Sequence, residues 1–183
     1  MSVLTGMHNA DVRSLLRAQT DDAHSQLHLH SSFAALFEGA LGRRDYARLI
    51  HRLHGFYAPL DDAIEGTLAG KPAGFSGYSY ARRSDLLAQD IADIGVSIPQ
   101  KADATCDQAH AIVTPSTLGG ILYVIEGATL GGARIDRAAT RILQSDSVAG
   151  RRYWDWCRAQ GKFRWPATLR LLDHLHKKGA STD

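Results

Sequence analysis

Apolar residues recur along this chain at three-to-four-residue spacing, the mark of helices with one buried face. Val12, Leu15, Leu16, Gln19, Ala23 and Leu27 predict an amphipathic helix from about Asp11 to Leu29. A short helix follows, with Ser31 or Ser32 as its cap and Phe33, Leu36 and Phe37 as its apolar side, ending in Gly39 to Gly42. Between about Arg44 and Leu68 the stripe Tyr46, Leu49, Ile50, Leu53, Phe56, Tyr57, Leu60 and Ile64 predicts a long helix, with Pro59 as a kink. Gly70 to Tyr80 is glycine-rich loop, after which Ser84 caps a helix that carries Leu87, Ile91 and Ile94 toward Gly95. Pro99 to Thr105 is polar linker. Pro115 suits the first turn of a helix running to about Leu143, and further helices are predicted around Arg151 to Gln160 and from Pro166 to Lys177. No segment alternates with period two. The fold class is therefore all-α: one domain of seven or eight helices over residues 11–178, with tails at 1–10 and 179–183.

One predicted helix carries an energetic cost. Tyr123-Val124-Ile125-Glu126-Gly127-Ala128-Thr129-Leu130-Gly131-Gly132-Ala133-Arg134-Ile135-Asp136 holds three glycines, each about 1 kcal/mol worse than alanine inside a helix. A membrane dimerisation motif needs about 20 unbroken apolar residues, and Glu126, Arg134, Asp136 and Arg137 interrupt this stretch. A phosphate loop needs a lysine after the last glycine and a preceding strand, and both are missing. Two explanations remain. Another helix packs closely here, or a bent helix lies over a flat ligand.

Composition narrows the setting. The chain has 183 residues, 44% of them apolar and 22% charged, with a net charge of +2, which demands neither nucleic acid nor a membrane surface. Glutamate is scarce, with only Glu38, Glu65 and Glu126. Cys106 and Cys157 share no metal-binding or disulfide spacing. Met1 to Ala10 lacks the basic and apolar regions of a secretory signal, so the expectation is a cytoplasmic protein.

His24 is the candidate for chemistry on the first helix. At 100° per residue, Arg17 and Arg13 return to nearly its azimuth, and Thr20 lies one turn away. An imidazole in line with arginines can ligate a metal while the guanidinium groups hold an acidic edge of the bound molecule. His51 and His54, spaced i, i+3, lack the accompanying carboxylates of a metal site and read as solvated or core-edge residues. Arg134, Arg137 and Arg141 make a basic row that reads as a solvated face or a dock for an acidic electron donor. Trp154, Trp156 and Trp165 read as core or rim.

Two motifs together resemble a known family. Leu16-Arg17-Ala18-Gln19-Thr20-Asp21-Asp22-Ala23-His24 resembles the proximal helix of heme oxygenases, where a histidine follows a threonine by four residues. Leu122-Tyr123-Val124-Ile125-Glu126-Gly127-Ala128-Thr129-Leu130-Gly131-Gly132 resembles the distal helix of the bacterial, biliverdin-producing branch. Phe56-Tyr57-Ala58-Pro59-Leu60 is also similar to that branch, and the resemblance spans roughly residues 10 to 178.

The resemblance implies a heme oxygenase-like helical bundle whose distal helix is kinked at its glycines. It implies haem as both cofactor and substrate, bound between the two helices and converted to biliverdin, carbon monoxide and ferrous iron with O2 and reducing equivalents. His24 would be the iron ligand, Arg17 would pair with a propionate, and Thr20, Ala128 and Gly132 would border the haem. Gly127 and Gly131 would leave room for oxygen to bend over the porphyrin. The partners implied are an electron donor such as a ferredoxin or a flavin reductase, and a phytochrome receiving biliverdin.

The chain also departs from the family pattern. Ala128 stands where animal members carry an aspartate that organises distal water, leaving that water to backbone groups or to Thr129. His28 stands where many members carry a carboxylate bonded to the proximal histidine. Bacterial relatives continue into one more helix beyond the position of Lys178, so the resemblance implies that either another segment substitutes for it or the haem crevice is open. A haem or bilin carrier of the same fold, without turnover, is the alternative these departures allow.

Overall fold

Tyr46, Ala47, Leu49, Ile50, Tyr57, Leu60, Ala63 and Ile64 line one face of a single long helix, and they seed the core of the protein. The computed structural model describes residues 12–69, 78–98 and 105–179. Among these, eight α-helices follow in order: α1 (Val12–Leu29), α2 (Ser31–Glu38), α3 (Arg43–Ala69), α4 (Ser84–Ile94), α5 (Thr105–Ile112), α6 (Leu118–Ala128), α7 (Gly132–Leu143) and α8 (Arg152–Gly179). A 3-10 turn, Thr129–Gly131, joins α6 to α7. No strand occurs among the described residues. The all-α expectation and its helix count hold.

The helices form two groups around the common core. The long α3 packs on α4 and α5, while α8 packs on α6, the 3-10 turn and α7, and also reaches α4. Between them sit Leu36, Leu87, Leu118, Leu122, Tyr153, Trp154 and Leu171. α2 lies on α7, and α1 lies across α2, α8 and α6.

Helix boundaries differ from the sequence reading where tertiary contacts overrule local signals. Ser84 is not the cap of α4 but its first residue. The cap comes from α3, where the buried carboxylate of Asp61 accepts from the Arg83 amide at 2.9 Å, the Ser84 amide at 2.8 Å and the Ser84 hydroxyl at 2.7 Å. Asp90 of α4 does the same for α8, accepting from the amides of Arg152 at 2.7 Å and Tyr153 at 3.0 Å. The two helices expected near the C-terminus are one, since α8 continues through Pro166, and α3 likewise runs through Pro59. Pro115 lies in the turn before α6, and α5 occupies a segment for which no helix was predicted.

The expected single helix from Pro115 to Leu143 is broken at the 3-10 turn, and glycine on both sides explains why. A Cβ on Gly132 would stand 2.8 Å from the backbone of Cys157 and of Arg158 in α8. A Cβ on Gly161 of α8 would stand 2.9 Å from the Thr129 carbonyl oxygen in the turn. The two backbones therefore cross at a distance that only glycine permits. By contrast, a Cβ on Gly131 would meet nothing within 4 Å.

Gly132→Ala is expected to cost about 1–3 kcal/mol by overpacking, whereas Gly131→Ala should leave stability unchanged or raise it by up to about 1 kcal/mol through helix propensity. Urea denaturation of both variants checks this. Equal effects would contradict the sorting of the two glycines.

Candidate functional site

The glycine segment presents two unlike faces. On one, Glu126 is fully buried despite its charge. Its carboxylate accepts from Arg164 Nε at 3.0 Å and Nη2 at 2.7 Å, and from the Tyr78 hydroxyl. Arg83, also fully buried, brings Nη2 to 2.7 Å from Glu126 Oε1. That approach lies off the donor axis, so it is an ion pair without an aligned hydrogen bond. The Arg83 guanidinium is stacked between Tyr80 at 4.7 Å and Trp156 at 5.6 Å. Burial by itself would push the Glu126 carboxyl up, but Arg164, Arg83 and Tyr78 outweigh it and hold it below the usual carboxylate value. The cluster ties α6 to the approach to α4 and to α8.

The other face is left bare. On a helix, Gly120, Val124, Gly127 and Gly131 fall within about 60° of one another, and Glu126 lies roughly 100° around from Gly127. A Cβ on Gly120 would meet Leu16 of α1 at 3.9 Å, and one on Gly127 would meet the Trp165 ring of α8 at 3.5 Å. Trp165 in turn packs against Tyr123, with centroids 5.4 Å apart. The strip is thus walled by α1 and by Trp165, and it is apolar: Val124 and the neighbouring Leu130 are each about half exposed, at 51% and 50%. Gly132 does not belong to it. A Cβ there would run into α8, one on Gly127 would touch the Trp165 ring, and one on Gly131 would meet nothing within 4 Å.

Helix α1 is tied to this region near both of its ends. Near its start, Leu16 meets Gly120. Near its end, the His28 ring stacks on Phe37 of α2 at 5.2 Å, and the Arg134 guanidinium of α7 lies 4.5 Å over the same Phe37. His24 stands eight residues past Leu16, about 12 Å along the axis, while Gly127 and Gly131 stand about 10 and 16 Å past Gly120. By helix rise alone, position 24 falls at the height of positions 127 to 131. None of the side chains of α1 is buried, and its Leu15 and Leu27, expected on a core-facing stripe, are half exposed. The helix is carried on the rim of the body.

The individual candidates on α1 are placed as follows. His24 and Arg17 are exposed, and the half-buried Thr20 spends its hydroxyl on the Leu16 carbonyl at 2.8 Å. The resemblance would let a neutral His28 accept from His24 Nδ1. Instead the two rings meet Nε2 to Nε2 at 3.2 Å, because an i, i+4 pair on one helix face brings the ring tips together. Ala128 is exposed next to the strip. Thr129 is buried on the far side with its hydroxyl on the Glu126 carbonyl at 2.6 Å, so it faces away from the strip.

The other residues singled out have structural places. His51 and His54 are half-buried at the core edge, and burial, followed by the proximity of His51, lowers the His54 pKa. Arg134 covers Phe37, and Arg141 covers Gly39, whose positive φ of 68° ends α2. Trp154 is core and Trp165 is rim. The Arg83–Glu126–Arg164 cluster was not anticipated. Its one signal was Glu126 itself, a rare glutamate inside an apolar helix.

The family model described as heme oxygenase matches residues 10–156. A curated relative, heme oxygenase from Xanthomonas campestris pv. campestris (strain 8004), is 32% identical over 106 residues, 56% of this chain and 58% of that protein. The chain thus matches under two thirds of that relative's length. Among solved structures, heme oxygenase from Leptospira interrogans superposes with a TM-score of 0.72 at 19% identity, over 88% of this chain and 86% of that one. Heme oxygenase-1 from the cyanobacterium Synechocystis sp. PCC6803, in complex with heme, superposes with a TM-score of 0.65 at 13% identity, over 92% of each chain. At these identities the superpositions establish the fold.

Glu126→Gln is expected to cost about 3–5 kcal/mol, because it leaves Arg83 and Arg164 without their counter-charge. The sign with pH follows from the lowered pKa of Glu126: its contribution is complete above the unfolded carboxyl range and is lost as pH falls through the folded value. Thermal midpoints of wild type and variant should therefore converge on acidification below about pH 4.5. A constant difference down to acid unfolding would count against the ion cluster.

Proposed function

The chain belongs to the heme oxygenase family, and from that premise we propose that it degrades haem oxidatively to biliverdin, carbon monoxide and ferrous iron. One arrangement supports the reading: helix rise puts His24 of the rim helix α1 at the height of Gly127 and Gly131, and a Cβ on Gly131 would meet nothing within 4 Å. A flat macrocycle seated between them would have an imidazole on one side and backbone on the other. The strip suits such a molecule because nothing lies within 4 Å of a Cβ built on Gly131, and Trp165, Val124 and Leu130 supply an apolar border. The unburied underside of α1 would then be covered by substrate, which explains why its leucines are half exposed.

Haem supplies the iron and the meso carbon of the reaction, and the chain's own groups bind and orient it. His24 would hold the iron through an imidazole nitrogen, which requires that its Nε2 leave His28. Arg17, on the same side of α1, pairs with a propionate. With Ala128 a methyl group and Thr129 turned into the core, backbone amides and carbonyls at the 3-10 turn are the polar groups on the distal side, and they offer hydrogen bonds without adding a competing ligand. Electrons come from a separate donor, a ferredoxin or a flavin reductase.

The test is a haem titration followed by turnover. Haem should bind with a Soret band, and His24→Ala should weaken binding at least about tenfold, ~1.4 kcal/mol. Ascorbate or reduced ferredoxin in air should then abolish the band and bring up biliverdin absorption. A Soret band that persists under reductant would leave a haem carrier, and turnover would be refuted.

A further inference from the structure

We propose that in the haem-free protein His24 and His28 together form a bidentate site for a late divalent transition ion such as Zn2+, and that occupation of this site withholds His24 from haem. Their Nε2 atoms are 3.2 Å apart. Two imidazole nitrogens at Zn–N distances of about 2.0–2.1 Å would subtend roughly 100–105° at a shared ion, close to tetrahedral. The spacing is therefore that of two cis ligands. Among first-row divalent ions, imidazole favours zinc, nickel and copper over the hard cations.

The second ring is held in place from outside the pair. His28 stacks on Phe37 with an interplanar angle of 13°, and Phe37 is covered on α7 by Arg134. Such pre-setting lowers the entropy lost on chelation. Both histidines are exposed, so an ion reaches them directly and water completes its coordination. A single N–H···N hydrogen bond would also account for 3.2 Å, and metal binding separates the two accounts. The competition with haem rests on His24 being the iron ligand, while the metal site itself does not.

The experiment uses the full chain, freed of metal by chelation, with retained helicity of each variant confirmed by circular dichroism. Calorimetric titration with ZnCl2 at pH 7.5 should show one equivalent in wild type that disappears in His24→Ala and in His28→Ala. Haem titration by Soret absorbance should be weakened at least about tenfold by saturating Zn2+, restored by EDTA, and unaffected by Zn2+ in His28→Ala, which keeps its iron ligand. A zinc stoichiometry unchanged in both variants would overturn the site. Loss of zinc in both variants with unaltered wild-type haem affinity would overturn the competition. If His24→Ala binds haem as wild type does, the axial-ligand reading fails, and the zinc titration still decides the pair.

Discussion

A charged carboxylate buried inside an apolar helix governs how this protein presents its glycines. Glu126 can remain ionised in the core only because Arg83 and Arg164 come to it, each from a different part of the chain. Breaking such a pair is expensive, so the cluster acts as a rotational pin. With Glu126 turned inward, helix geometry turns Gly127 and Gly131 outward. The crossing at Gly132 and Gly161 fixes the same helix axially against α8. The glycine segment thus has one heavily anchored face and one lightly covered face, bordered by Leu16 of α1 and Trp165 of α8.

α1 is attached on different terms. It buries no side chain and rests on Leu16 at one end and on the His28–Phe37 stack at the other. A helix so placed gains little from the hydrophobic core and can adjust to what lies beneath it. The site accordingly pairs a rigid backbone floor with a lightly held helix bearing the imidazole. Under the proposed function, that division would let haem enter, be held by His24 and leave after ring opening.

The same economy appears in the helix caps. Asp61 and Asp90 are buried carboxylates whose work is to satisfy the first amides of α4 and α8. Local capping signals such as Ser84 were misleading because the acceptor came from another helix. Pro115 and Pro166 misled in the same way. A proline marks where a helix ends when nothing else decides, yet α8 is held along its length by α6, α7 and α4, and it passes through Pro166 unbroken.

What the amino-acid order determined by itself was local and periodic. Apolar spacing placed α1, α2, α3 and α4 within a residue or two, and the paired motifs around His24 and Gly127 were enough to point to the family. Three glycines in a helix announced a close approach but not its partner. Only the tertiary structure separated them, setting Gly132 hard against the α8 backbone, Gly127 beside the Trp165 ring and Gly131 in open space, because what a Cβ would strike depends on the neighbouring helix. It likewise assigned Thr129 to the core, joined His28 to the tip of His24 rather than to its back, and gathered Arg83 and Arg164 around Glu126. These residues lie 38 to 43 positions from Glu126 in the chain, and no period along a sequence encodes contacts that form only when distant helices cross.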